Sequence, residues 1–176
     1  MVYEIDLHVT GITRGSGDVQ THGACAAVLF EKDDATENDA AIKKDEMFYR
    51  TRKLPLPATG VMPRPQRAEI SAIILGLEWA LASIRERRDN PEVSTKIHTD
   101  SRHAHECMTQ SIHVWAEKRW LNANEKPVVN RDLIEKASDL HKELEGLGTV
   151  EYIYVPREDH ELPIMYCNRV LDKYPW

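Results

Sequence analysis

The sequence predicts an α/β fold with five strands, and three features predict it. Residues 3–10, YEIDLHVT, alternate strictly: Tyr3, Ile5, Leu7 and Val9 take one side and Glu4, Asp6, His8 and Thr10 the other. That is the period of a half-buried strand. Two more strand-like runs, GACAAVLF (23–30) and EMFYRTRKL (46–54), follow with no helical stretch between them, as in an antiparallel meander. After a proline-rich segment, helical and strand periods alternate to the end of the chain.

The remaining elements follow in order. GITRGSGDVQTHG reads as a glycine-rich turn region. PLPATGVMPRPQ (55–66) holds four prolines and one glycine, which excludes a helix interior or a central strand. It reads as a loop inside one domain. RAEISAIILGLEWALASIRERR is a strongly amphipathic helix, with Ile70, Ile73, Ile74, Leu77, Leu81 and Ile84 at helical spacing. Asn90 and Pro91 stop it. VSTKIHTD (93–100) is a β-branched strand, and SRHAHECMTQSI and VWAEKRW are helices. Asn130 is placed to cap a helix whose stripe is Leu133, Ala137, Leu140, Leu144 and Leu147, closed by Gly146 and Gly148. TVEYIYVP (149–156) is the last strand and MYCNRVLDKY a short helix. The resulting order is β-β-β-α-β-α-α-α-β-α.

Length and composition fit one soluble domain. The chain has 176 residues, 41% hydrophobic and 30% charged, enough for a real core. No apolar run approaches the roughly 20 residues that span a membrane, and the opening MVYEIDLHVT does not read as a secretory signal. Three dispersed cysteines, Cys25, Cys107 and Cys167, predict reduced thiols in an intracellular protein, cytoplasmic or nuclear. The net charge of −6 weighs against a phosphate-binding partner. The loop 31–46 alone, with seven acids and three lysines, accounts for −4 of it. The rest is near neutral, with a basic stretch at Lys118, Arg119 and Lys126.

Three acids stand at element ends: Glu69 near the start of the long helix, Asp100 at the end of the 93–100 strand, and Asp172 on the terminal helix. Taken singly, Glu69 reads as a helix-dipole acid, Asp100 with Ser101 as capping chemistry, and Asp172 as a surface charge. Together with their flanks they read differently. Gln66-Arg67-Ala68-Glu69-Ile70, Thr99-Asp100-Ser101, Val155-Pro156-Arg157-Glu158 and Asn168-Arg169-Val170-Leu171-Asp172 resemble, in order and spacing, the motifs of the type 1 ribonuclease H family. The Val-Pro-Arg-Glu run resembles plant and fungal members. Trp115, Trp120 and Lys126-Pro127-Val128 with Asn130, Asp132 and Leu133 resemble the basic handle (113–128) with which many members grip duplex.

The resemblance covers nearly the whole chain, 1–176, as a single domain. It implies a ribonuclease H-like α/β fold, a five-stranded mixed sheet with helices on both faces. It implies cleavage of the RNA strand of RNA/DNA hybrids by two Mg²⁺ (or Mn²⁺) ions. Such ions clamp the attacking and leaving oxygens of an in-line displacement, and clustered carboxylates hold them close together. Carried over by position, Glu69, Asp100 and Asp172 are the metal and catalytic acids, and His160 is the loop histidine that assists proton transfer or product release. Gln66, Arg67, Lys118, Arg119, Trp120, Lys126 and Asn168 are the nucleic-acid contacts.

One position departs from the pattern. Val9-Thr10-Gly11-Ile12 lies where the family has an aspartate before the glycine, so Thr10 replaces the carboxylate that bridges both metals. A neutral hydroxyl is the weaker Mg²⁺ ligand. Asp6 and Asp18 are the possible stand-ins, though four residues of strand separate Asp6 from Thr10 by about 13 Å. Two functions therefore stand side by side: a metal-dependent hybrid nuclease with an impaired two-metal site, and a domain without catalysis that binds nucleic acid or a protein. Trp115 and Trp120 read equally as stacking platforms or as core. His103 and Cys107 share a helix face, but no second pair at structural-zinc spacing accompanies them. Oligomeric state is open.

Overall fold

The computed structural model describes residues 2–15, 22–33, 48–54 and 65–173. Asp18, most of the acidic loop and most of the proline-rich loop lie outside the described residues. Five strands form one mixed sheet: β1 (Val2–Arg14), β2 (His22–Asp33), β3 (Phe48–Lys53), β4 (Glu92–Thr99) and β5 (Gly148–Tyr154). Their spatial order is β3-β2-β1-β4-β5. The first three are antiparallel neighbours, and β4 and β5 add in parallel on the other side of β1. β1 is therefore central, with Thr10 opposite Ala26 on one flank and Val9 opposite Thr99 on the other.

Helices cover both faces. The alternation in β1 sends Tyr3, Ile5, Leu7 and Val9 into the main core, where they meet Ile70, Ile73, Ile74, Leu77 and Leu81 of α1 (Pro65–Glu86) and Ile134 and Leu144 of α4 (Arg131–Glu145). The opposite face carries a smaller core of Ala24, Ala26, Cys167 and Leu171 beneath α5 (Glu161–Leu171). Small β2 side chains let α5 lie close to the sheet, and the Cys167 thiol donates to the Ala24 carbonyl at 3.2 Å. Between β4 and α4 run α2 (Arg102–Glu106), a π-helical turn (Cys107–Ser111) and α3 (Ile112–Glu117).

Several boundaries differ from the sequence expectation for identifiable reasons. β1 does not turn at Gly11 but continues to Arg14. Gly11 is instead a contact glycine: a Cβ there would sit 2.0 Å from the Ala68 carbonyl oxygen and 2.6 Å from the Glu69 nitrogen. Asn130 precedes α4 in a left-handed conformation (φ 59°) and makes no side-chain cap. Its Oδ1 accepts from Arg67 Nη1 at 3.2 Å instead. The α4 stripe is rotated relative to the predicted one: Ile134, Ala137, Ser138, His141 and Leu144 are buried, and Leu147 is exposed.

Substituting Gly11→Ala forces backbone against backbone, so we expect α1 to shift at its first turns and stability to fall by about 1–3 kcal/mol, measured by denaturant titration. Burial also holds the imidazoles of His8, His141 and His160 below their usual range, His8 down to about 4. The unfolded chain therefore binds more protons than the fold as pH drops below 6.5. Stability in chelated buffer is thus expected to be full above pH 6.5 and to fall as pH drops from 6.5 toward about 4. Thermal melts across that interval check it.

Candidate active site

The parallel pairing of β1 and β4 brings Thr10 and Asp100 together at one corner of the sheet. Thr10 is 1% exposed, and its hydroxyl donates to Asp100 Oδ1 at 2.9 Å. Glu69 faces the same corner from α1, whose approach to Gly11 fixes its distance. The helix starts at Pro65 and its first turn carries no acid, so Glu69 is not a dipole-capping residue. Ser101, the residue after Asp100, fastens Glu69 to this corner: its Oγ donates to Glu69 Oε2 at 2.6 Å and accepts from the Ala104 nitrogen at 3.0 Å, capping α2. Burial lifts the Glu69 carboxyl above its usual range, the Ser101 hydrogen bond opposes this, and the negative charge of Asp100 adds to the lift.

Asp172 is oriented otherwise. It follows α5 with its side chain 64% exposed, and Arg14 Nη1 donates to its Oδ1 at 2.5 Å. The same guanidinium donates to Asn168 Oδ1 at 2.7 Å. Arg14, which the sequence reading passed over, ties the end of β1 to α5. Among the described residues, Glu69, Asp100 and Asp172 do not gather as a set of three ligand atoms within 4.8 Å of one another.

His160 lies, as its position predicted, between the last strand and the last helix, but its side chain is not in solvent. It is 1% exposed, and its Nε2 lies 2.8 Å from the Val9 carbonyl, to which it donates. That hydrogen bond holds the ring on the sheet face rather than in solvent, because two consecutive backbone elements, the 3₁₀ turn Arg157–Asp159 and α5, close over it.

The basic segment forms a compact handle. Arg119, Trp120 and Glu125 adopt left-handed backbone (φ 55°, 61° and 59°), and an isolated antiparallel bridge joins Leu121 to Pro127. Lys118, Arg119 and Lys126 are exposed. Trp120 is 9% exposed and packs in the main core, with Trp115 against that core, so the core reading of the tryptophans holds and Trp120 offers no free face for a base. Gln66 is exposed. Arg67 makes a bidentate pair with Asp132 (3.0 and 2.8 Å), which anchors α1 to the start of α4.

The sheet order, the helices on both faces and this corner of acids define a ribonuclease H-like fold. The family model for RNase H matches residues 12–156. The chain belongs to the RNase H family. It is 46% identical over 67 residues to a ribonuclease H of Rhodospirillum rubrum, which is 38% of this chain and 35% of that one. It is 33% identical over 89 residues to a ribonuclease H of Schizosaccharomyces pombe, 51% of this chain and 30% of that one. The matches thus span about a third of the length of these curated relatives. The fold is similar to LC9-RNase H1 (TM-score 0.68, 16% identity, 97% of this chain and 71% of that one). It is similar also to LC11-RNase H1 in complex with an RNA/DNA hybrid (TM-score 0.58, 15% identity, 96% and 97%).

Thr10→Asp would replace the hydroxyl donor with a second carboxylate against Asp100. In chelator we expect it to lower stability by about 1–3 kcal/mol, or about 2–12 °C in Tm. Added Mn²⁺ should raise the Tm of the variant more than that of the parent.

Proposed function

We propose that this chain binds RNA/DNA hybrids and hydrolyses the RNA strand with divalent metal, at a rate lowered by Thr10. The observation that carries this reading is the hydrogen bond by which Ser101, next in the chain to Asp100, holds Glu69 at the β1–β4 corner. The residues present fit one divalent ion. Glu69 and Asp100 supply two carboxylates, and the lifted Glu69 carboxyl marks a place where a counter-charge is favourable. They do not reproduce a four-carboxylate set, since Thr10 is neutral and Asp172 is turned to Arg14. When bound, a divalent ion polarises the phosphodiester and supports a nucleophilic water at neutral pH. Asp100 and Glu69 would hold it, Ser101 fixes the Glu69 rotamer, and Gly11 sets the approach of α1 to the strand.

The handle supports the choice of substrate. Lys118, Arg119 and Lys126 are exposed on one short segment, and cations on a duplex-facing loop supply sequence-independent phosphate affinity. The dispersed cysteines support an intracellular setting. A second reading, hybrid binding without cleavage, is favoured by the Arg14–Asp172 pair. There a guanidinium supplies the positive charge beside Asp172 that a metal would otherwise provide.

The test is cleavage of a labelled RNA/DNA hybrid in Mg²⁺ and in Mn²⁺, with Thr10→Asp and Asp100→Asn beside the parent. The first reading expects slow cutting by the parent, none by Asp100→Asn, and acceleration of at least about 10-fold in Thr10→Asp. An inert parent rescued by Thr10→Asp establishes the second reading. If neither cuts and neither binds hybrid, both readings fall and a protein-binding role replaces them.

A further inference from the structure

Away from the β1–β4 corner, the α5 face of the sheet carries a cluster that the nuclease reading does not use. Asp6 and His8 alternate onto the same side of β1, and the parallel register sets His8 opposite His98 of β4. One ligand atom from each lies within 4.8 Å of the other two, the only such group among the described residues. Asp6 Oδ1 is 2.5 Å from His98 Nε2 and 3.8 Å from His8 Nε2. Yet Asp6 Oδ1 and His98 Nε2 are both buried without a hydrogen bond of acceptable geometry. Buried polar atoms without partners are rare and call for an explanation. An ion bonded to both at about 2.0–2.1 Å would hold them roughly 3.3 Å apart, so the pair opens slightly to admit it and both atoms are then satisfied.

An entry path reaches the cluster. His8 and His160 form part of the wall of an open cleft of about 410 Å³, whose other lining includes Glu158, Asp159 and Glu161. Three carboxylates at the mouth of a cleft concentrate cations there. The three side chains can each offer one lone pair to an ion there, from two imidazole nitrogens and one carboxylate oxygen.

We propose that Asp6, His8 and His98 form a binding site for a divalent transition-metal ion, best matched to Zn²⁺, separate from the acids Glu69 and Asp100. Two imidazoles and one carboxylate suit a borderline ion and not Mg²⁺, which takes oxygen ligands and keeps its water. Three protein ligands beside an open cleft leave the fourth position to water. The His8 and His98 rings now stack at 4.1 Å with 5° between their planes. An ion shared by both rings must tilt that stack, because each nitrogen donates in the plane of its own ring. The inference does not depend on cleavage of hybrids.

The test is a Zn²⁺ titration of the full chain, read by calorimetry and by the imidazole ¹H–¹⁵N spectrum. We expect one tight equivalent, with the His8 and His98 ring resonances displaced and those of His103 and His105 unmoved. Mg²⁺ should move neither pair. Asp6→Asn and His98→Gln should each weaken binding by at least about 10-fold, the loss already typical when outer-shell partners are removed. Because the spectrum is read on the parent chain, a variant that fails to fold does not decide the matter. The proposal is overturned if Zn²⁺ leaves His8 and His98 unmoved, or if it shifts His103 instead, which would place the ion at the His103–Cys107 pair (3.6 Å). A parent inert on hybrids that still shows the displacement leaves this site standing.

Discussion

The approach of β1 to α1 at Gly11 governs this molecule. The strand and the helix touch backbone to backbone there, with no room for a single carbon between Gly11 and the Ala68–Glu69 peptide. That contact sets the height of α1 above the sheet, and so fixes where Glu69 points. It also sets how deeply Ile70, Ile73 and Leu77 pack on β1. Because β1 is the central strand, the same contact relates α1 to β4, and so relates Glu69 to Asp100. Core packing and site geometry are one constraint here. A side chain at position 11 would perturb both.

The corner of the sheet is also notable for how its charge is balanced. Asp100 receives a hydrogen bond from a threonine, Glu69 from a serine, and Asp172 from an arginine. Neutral donors satisfy lone pairs without cancelling charge, which is why the Glu69 carboxyl stays lifted by burial while Ser101 is bonded to it. A full cation, as at Asp172, does cancel it. The three acids therefore differ in what they still offer an incoming ion: two accept only from neutral hydroxyls, and one is already paired with a guanidinium. Thr10 stabilises the arrangement by separating Asp100 from what would otherwise be a second carboxylate at close range.

Much of the fold could be read from local pattern. Period two placed Tyr3, Ile5, Leu7 and Val9 on the core side of β1, and period 3.6 placed the α1 stripe, because both rest on the burial of one face. The acids Glu69 and Asp100 were legible as motif positions. What could not be read depended on contacts between distant segments. Gly11 looked like a turn because the helix that needs it lies almost 60 residues on. Asn130 looked like a cap because its true partner is Arg67. The burial of His160 could not be read because the Val9 carbonyl that holds it belongs to the other end of the sequence. The Asp6–His8–His98 cluster had one available signal: His8 shares a strand face with Asp6. Seeing His98 join them required the parallel register of β1 and β4.

Arg14 reaches Asp172 and Asn168 across sequence separations of 158 and 154 residues. Closing a loop of that length costs entropy that local contacts do not offset on the way. High contact order of this kind slows folding. The antiparallel meander can form from neighbouring segments, whereas the parallel pairs of β1 with β4 and β4 with β5 must wait for crossovers. The Arg14 clasp can close only once α5 has docked on Ala24 and Ala26. It therefore waits for the last helix of the chain. Partly folded forms that hold the meander and α1 would still lack the clasp, with the α5 face of the central strands open to association.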